Sequence, residues 1–134
     1  QALIEGLKDG TIDAISSDHR PQNQENKQVE YDYAAFGATS LQTFYPLLLQ
    51  LHDEGVEIDT LIVKSSHGPR EIVKLDKNSI DEGSEACIAV FDPQEKWILN
   101  RESNKSLSEN SPFWEKELTG RCKAIISGNK SLEF

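Results

Sequence analysis

An aspartate and a histidine stand together near the start of the sequence, in AISSDHRPQNQENK at residues 14–27. Asp18 and His19 follow four residues with the pattern of a buried strand, and a proline and several amides come next. A carboxylate at the end of a strand can exchange a proton with a bound substrate or water. The same residue type also closes turns, because its oxygens accept local backbone hydrogen bonds. The segment therefore indicates either the edge of an active site or a turn that caps a strand.

The residues before Asp18 predict a helix followed by a strand. ALIEGLKDG has apolar residues at helical spacing, and Gly10 stands where a helix would end. TIDAISS, residues 11–17, is rich in β-branched side chains and fits a strand that is covered on both faces. This order is an α/β connection. A single parallel strand cannot satisfy its own backbone hydrogen bonds, and the sequence supplies no neighbour for it.

Residues 18–39 form a polar stretch without helical or strand periodicity, much longer than the ~4–6 residues typical of connections in compact domains. Loops of this length are usually functional or disordered.

The segment that follows the loop predicts an amphipathic helix. The residues of its apolar face are spaced three and four apart: Leu41, Phe44, Tyr45, Leu48 and His52. Ser40 or Thr39 is the expected cap, and Pro46, placed beyond the first turn, is expected to kink the helix.

Two further helices and several strands complete the prediction. EIDTLIVKSS predicts a helix that starts at Asp59, and HGPREIVKL predicts another with Pro69 at its first position. Past Leu75 the pattern changes to short strands, EACIAVFDP, KWILN and GRCKAIISGNK, with SGNK as a hairpin turn between the last two strands. The chain is therefore predicted to divide near residue 76, into an α/β part at residues 1–76 and a β part at residues 77–134.

Composition narrows the class of partner. The 134 residues include 23 acidic and 14 basic side chains, a formal net charge of −9, which disfavours nucleic acid and anionic lipid as partners. The longest apolar run is far short of the ~20 residues that a membrane span requires. Cys87 and Cys122 both stand in apolar stretches and predict buried thiols in a reducing cytoplasm. QALIEGLKDG resembles the last turns of a helix, so the chain is expected to be part of something larger.

The order of these segments resembles the carboxy-terminal third of a dihydroorotase, in the cyclic amidohydrolase superfamily. No single tripeptide is specific, but the ordered set runs through nearly the whole chain. The residues that carry the resemblance are Asp18, His19, Arg20 and Pro21; Ala35, Phe36 and Gly37; Leu41, Gln42 and Thr43; Pro46, Leu47 and Leu48; Pro69 and Arg70; Ala89, Val90, Phe91, Asp92 and Pro93; Trp97; Asn110, Ser111, Pro112 and Phe113; and Leu118, Thr119, Gly120 and Arg121.

The resemblance implies a fold and a reaction. The fold class is α/β: the last strand and helices of a (β/α)8 amidohydrolase barrel, followed by strands of a small β-sandwich, with the site at the carboxyl ends of the barrel strands. TIDAISS would be the eighth barrel strand. The implied reaction of pyrimidine biosynthesis is the reversible hydrolysis of dihydroorotate to N-carbamoyl-aspartate. Asp18 would lie beside a metal centre, zinc in most of the family, and would shuttle a proton from a metal-activated water to the leaving nitrogen.

The resemblance also implies substrate-binding residues, and here the sequence departs from the pattern. The family pattern Asp-His-Ala-Pro-His ends in a histidine that helps to hold the substrate carboxylate, whereas this chain has Arg20 and Gln22 at the third and fifth positions. Gln22 can donate a hydrogen bond but is never cationic. Arg20 either replaces the missing charge by turning inward or is solvated. The backbone of residues 35–37 (Ala35, Phe36 and Gly37) would contact the polar edge of the ring.

The three histidines are expected to be structural: His19 hydrogen-bonds or packs, His52 lies on the apolar face of a helix, and His67 lies in a turn. The other metal ligands of the family belong to barrel strands that this chain lacks, so the chain alone is expected to be inactive.

Two interpretations remain open. The first is a cytoplasmic dihydroorotase-like enzyme, seen here as a carboxy-terminal portion. The second is a non-catalytic scaffold or assembly partner of an aspartate carbamoyltransferase. The retained Asp18 and the Phe36-Gly37 pair favour the enzyme, and Gln22 favours the scaffold. Apolar faces left by the absent barrel strands would favour self-association, so a homo-oligomer is expected.

Overall fold

The computed structural model describes residues 1–76 and 79–134, and the predicted domain boundary after residue 76 falls at the edge of the two residues outside this description. The first helix, α1, spans Ala2–Asp9. Gly10 follows it in the left-handed conformation, with a φ of 86°, as the sequence predicted. No helix in the described ranges is both long enough and apolar enough to cross a membrane.

The strand predicted at residues 11–17 is not present, which corrects the sequence prediction. The segment makes single backbone hydrogen bonds, from the Ile12 amide to the Gly6 carbonyl and from the Ile15 amide to the Lys64 carbonyl. All strands in the described part of the chain lie in one sheet that does not include it. A parallel strand exists only where a neighbouring strand supplies a ladder, and none lies beside this segment.

The long loop contains two short helical turns, α2 at Gln24–Lys27 and a 3-10 helix at Tyr31–Tyr33. The predicted amphipathic helix, α3, spans Phe44–Asp53. Thr43 precedes it without a side-chain cap, so the capping role predicted for Ser40 or Thr39 is wrong. Pro46 is the third residue of α3, where its missing N–H would have no intrahelical partner, and the helix continues to Asp53. The placement of Pro46 beyond the first turn was therefore also wrong.

The next two predicted helices form one continuous helical run. Helix α4 spans Ile58–Ile62, a π-helix spans Val63–His67, and helix α5 spans Gly68–Ile72. Pro69 is the second residue of α5, one place after the first position predicted for it. The first core of the molecule lies under these helices. Its buried residues are Leu7, Leu48, Val56 and Leu61.

An antiparallel three-stranded sheet completes the fold, with strand order β1-β2-β3. Strand β1 spans Cys87–Ile98, β2 spans Glu117–Ser127 and β3 spans Lys130–Glu133. The two short strands predicted at EACIAVFDP and KWILN are one strand, with register shifts between Val90 and Phe91 and between Asp92 and Lys96. The predicted SGNK hairpin is confirmed, since Ser127 pairs with Lys130.

Helix α3 packs on this sheet. The Tyr45 ring stacks on the Phe91 ring with 3.9 Å between their centroids, and Gly120 of β2 lies directly under Leu49. A second small core of Trp97, Leu99 and Leu118 lies beside this contact, where the Trp97 indole N–H donates to the Gly120 carbonyl at 2.8 Å. Both cysteines are free thiols, but Cys87 is exposed and Cys122 is half-buried, so the prediction that both are buried is wrong. Cys87 is the first residue of a strand at the sheet edge, where apolar neighbours in sequence do not cover it.

Candidate active-site loop

The two ends of the loop at residues 18–39 are tied together by backbone and side-chain contacts. His19 forms a parallel bridge with Ala38, and the Arg20 amide donates to the Ala38 carbonyl at 2.9 Å. The Nδ1 atom of His19 accepts hydrogen bonds from the Ser40 and Leu41 amides, both at 3.1 Å. In a neutral imidazole Nε2 then carries the proton. His19 therefore closes the loop, in agreement with the structural role predicted for it.

Asp18 lies at the entrance of the loop in an exposed position. Its φ of 43° is left-handed, and 75% of its side chain is exposed. The Arg20 Nε atom lies 3.1 Å from its Oδ1 atom. An ion pair this exposed contributes at most about 1 kcal/mol to stability. The Arg20 guanidinium, predicted either to turn inward to a substrate carboxylate or to be solvated, is thus exposed and paired with Asp18.

Gln22 reaches the other limb of the loop. Its side-chain amide donates to the Phe36 carbonyl at 3.1 Å, and its backbone carbonyl accepts a hydrogen bond from the Ser108 hydroxyl at 2.6 Å. Phe36 as a residue is 88% exposed, so the contact with Gln22 holds its backbone and leaves its side chain open to solvent.

Gly37 has a conformation and an environment that exclude a side chain. Its φ is 118°, and a Cβ atom there would lie 2.5 Å from the Arg20 Cβ atom and 2.8 Å from the Arg20 carbonyl oxygen. The Gly37 carbonyl accepts hydrogen bonds from Lys27 Nζ at 3.1 Å and from Asn110 Nδ2 at 3.0 Å. The same Lys27 ammonium donates to the Ala35 carbonyl at 2.7 Å.

The residues predicted for the site are thus joined by contacts within one loop. Arg20 contacts both Asp18 and Gly37, and Gln22 contacts Phe36. Lys27 links Ala35 to Gly37. No site role was predicted for Lys27, Ser108 or Asn110, although Asn110 is among the residues that carry the family resemblance. The sequence distinguishes Lys27 only as the one basic residue between Pro21 and Thr39. Nothing local in the sequence indicates that residues 108 and 110 reach this loop.

The described residues do not by themselves fit a zinc site. Within residues 1–76 and 79–134, no group of three histidine, cysteine, aspartate or glutamate side chains is placed to hold a metal ion. Catalytic zinc typically takes three protein ligands, whereas Asp18 is a single carboxylate that already pairs with Arg20.

Comparison with known proteins supports the family resemblance. No protein-family model matches the sequence. Curated proteins named dihydroorotase match nearly the whole chain: one from Geotalea daltonii is 38% identical over 130 residues, covering 96% of this chain and 31% of the relative. One from Caldicellulosiruptor saccharolyticus is 36% identical over 135 residues, covering 99% of this chain and 31% of the relative. One from Aquifex aeolicus is 38% identical over 130 residues, covering 96% of this chain and 31% of the relative.

Solved structures with a similar fold include proteins named hydantoinase or dihydropyrimidinase. A D-hydantoinase (dihydropyrimidinase) from Thermus sp. superposes with a TM-score of 0.79 at 20% identity, covering 99% of this chain and 32% of that one. A dihydropyrimidinase from Brevibacillus agri NCHU1002 superposes with a TM-score of 0.83 at 21% identity, covering 94% of this chain and 29% of that one. The chain spans about a third of the length of the curated relatives it matches. The resemblance to the dihydroorotases is confirmed over that length, and the α/β fold matches that of the corresponding part of these hydantoinase and dihydropyrimidinase structures.

Proposed function

We propose that this chain, a homologue of the dihydroorotases, is the carboxy-terminal portion of a cyclic amidohydrolase that interconverts dihydroorotate and N-carbamoyl-aspartate in pyrimidine biosynthesis. The match of 36–38% identity to three dihydroorotases over 96–99% of the chain supports this proposal. We assign residues 1–76 to the carboxy-terminal segment of a (β/α)8 barrel, in which residues 11–17 would become a strand only beside barrel strands outside this chain, and residues 77–134 to a small β-sandwich. Two free thiols fit a cytoplasmic location.

The observation that carries the proposal is the closure of one loop around the residues that the resemblance implicates. Asp18 presents an exposed carboxylate at the loop entrance, where it can accept and return a proton. Gly37 lacks a side chain, so a ring amide can approach the backbone of residues 35–37. The open side of the loop would be covered by segments outside this chain.

Zinc is the cofactor that the resemblance implies. Because Asp18 is a single carboxylate paired with Arg20, we assign no zinc-dependent step to the residues of this chain, and the remaining ligands would belong to the rest of the protein.

Two contacts favour a second candidate function, a non-catalytic scaffold that assembles with an aspartate carbamoyltransferase. Gln22 replaces the histidine of the family pattern, and its amide is engaged by the Phe36 carbonyl. The Asp18 carboxylate forms an ion pair with Arg20, whereas a carboxylate that shuttles protons must be able to separate from such a partner.

The deciding experiment is an assay of dihydroorotate hydrolysis by the full-length parent loaded with zinc. We expect turnover, and we expect Asp18→Asn to lower kcat by about 100-fold or more, the usual contribution of a positioned acid or base. Asp32→Asn is the matched control, because Asp32 is an exposed aspartate of the same loop. A zinc-loaded parent without turnover, which nevertheless co-purifies with an aspartate carbamoyltransferase, would establish the scaffold instead.

A further inference from the structure

The ammonium group of Lys27 bridges two carbonyls of the loop segment at residues 35–37. Nζ donates to the Ala35 carbonyl at 2.7 Å and to the Gly37 carbonyl at 3.1 Å. The carbonyl between them, that of Phe36, accepts from Gln22, and Asn110 gives Gly37 a second donor. Three consecutive carbonyls are therefore held by side chains from three separate positions in the sequence.

Holding three consecutive carbonyls fixes three peptide planes. Each peptide group is planar and trans, so its N–H points away from its C=O. Side chains that fix the carbonyls of Ala35, Phe36 and Gly37 therefore also fix the direction of the next three N–H groups. Gly37 has a φ of 118° and no side chain to restrict it, so its orientation depends on these contacts.

Lys27 has the electrostatic character that this role requires. It is half-buried, and within the described residues it forms no ion pair with a carboxylate. Its charge is therefore directed at the two carbonyls. Hydrogen bonds from a charged donor are roughly twice as strong as neutral ones, and they polarise the peptide group so that its N–H becomes a better donor.

We propose that Lys27 is a positioning residue, which holds the backbone of residues 35–37 in the conformation that receives the polar edge of a cyclic amide substrate. The inference rests on the proposed function, since it takes this backbone to be the substrate-binding edge. Lys27 itself does not contact the reacting atoms in this role, and acts through the Ala35 and Gly37 carbonyls.

The first test is steady-state kinetics on the zinc-loaded full-length parent. Lys27→Gln removes the charge and is expected to raise KM for dihydroorotate about tenfold, with kcat changed by less than about threefold. Lys27→Arg keeps a cationic donor and is expected to restore part of the affinity. Lys130→Gln, an exposed lysine of β3, is the control and is expected to behave as the parent. A KM within twofold of the parent value in Lys27→Gln overturns the proposal.

The second test separates this proposal from the proposed function, because it requires no activity. Amide hydrogen exchange at residues 34–38 is expected to be about tenfold faster in Lys27→Gln than in the parent and unchanged in Lys130→Gln. Unchanged exchange at these residues overturns the role of Lys27. An equal increase across α3 means a general loss of stability and overturns it as well. If the parent lacks turnover, the enzymatic function fails while this measurement still decides the role of Lys27.

Discussion

The side-chain amide of Gln22 donates a hydrogen bond to the carbonyl oxygen of Phe36 at 3.1 Å, across fourteen residues of loop. The residue that replaces the expected substrate-binding histidine is therefore used to hold the loop. Its effect on a substrate would be exerted through the peptide group that links Phe36 and Gly37.

Replacing Gln22 by glutamate should damage the site more than replacing it by alanine. Gln22→Ala removes one neutral hydrogen bond, worth about 0.5–1.5 kcal/mol, so KM should rise by no more than about tenfold. Gln22→Glu keeps the size but places a carboxylate against the Phe36 carbonyl oxygen, so the two acceptors repel. Steady-state kinetics on the full-length parent checks the order of the two variants. A smaller effect for the glutamate variant would contradict this contact.

Gly37→Ala should weaken substrate binding strongly. A methyl group at this position would collide with Arg20, in a conformation with a φ of 118° that side chains rarely adopt. We expect KM to rise about tenfold or more, since the backbone must move to accept the new atom. Gly83→Ala is the matched control, because Gly83 also has a positive φ, 89°, but has open space around it. Equal kinetics for the two variants would refute the role of close packing at Gly37.

Gly120→Ala should lower the melting temperature more than Gly83→Ala does. The two glycines have similar φ values, 93° and 89°, so the backbone strain is comparable. Only at Gly120 would the added carbon press against Leu49 and Tyr45 of helix α3. Such overpacking typically costs about 1–3 kcal/mol beyond the strain. Thermal unfolding followed by circular dichroism measures the difference, and equal melting temperatures would show that α3 does not rest on β2 at this residue.

Glu95 should make stability depend on acid pH. Its carboxylate accepts hydrogen bonds from Lys123 at 2.7 Å and from Arg121 at 2.8 Å. Both contacts lower the pKa of Glu95 below its usual 4.5, and the contact with Lys123 has the larger effect. A depressed folded-state pKa contributes stability above the unfolded pKa, and the contribution is lost as pH falls through the folded value.

The Glu95→Gln variant should therefore melt at a lower temperature than the parent at pH 7, and the difference should shrink at an acid pH well below 4.5. Melting curves at both pH values check this. Glu133→Gln is the control, because Glu133 is an exposed glutamate of β3. A constant difference across the pH range would show that the charge of Glu95 contributes nothing.

The two cysteines should react with alkylating reagents at different rates. Cys87 is exposed, whereas Cys122 is half-buried, and burial raises the pKa of the Cys122 thiol. Since the thiolate is the nucleophile, Cys122 should be labelled more slowly near neutral pH. Peptide mass spectrometry after timed iodoacetamide treatment measures both rates, and Cys87→Ser should abolish only the fast phase. Labelling of Cys122 first would contradict the packing around β2.

Local rules were sufficient for the features that depend on a few neighbouring residues. The end of α1 at Gly10, the place of Pro69 in the first turn of α5 and the SGNK hairpin follow from backbone sterics within a short window. Asp18, Gln22 and the segment at residues 35–37 were selected from the sequence through an ordered family pattern, and the structure places them in one loop.

The remaining features depended on contacts between distant positions. TIDAISS has the composition of a strand, yet without a neighbouring strand its backbone makes scattered hydrogen bonds in place of a ladder, among them those to the Gly6 and Lys64 carbonyls. Lys27 and Asn110, which are 83 residues apart in the sequence, both donate hydrogen bonds to the Gly37 carbonyl, and no sequence periodicity predicts this contact. The sequence determined where the chain can turn, because a turn is a property of a few adjacent dihedral angles. Only the tertiary structure decided which side chains hold the loop, because hydrogen bonds form between groups that the whole fold brings within 3 Å.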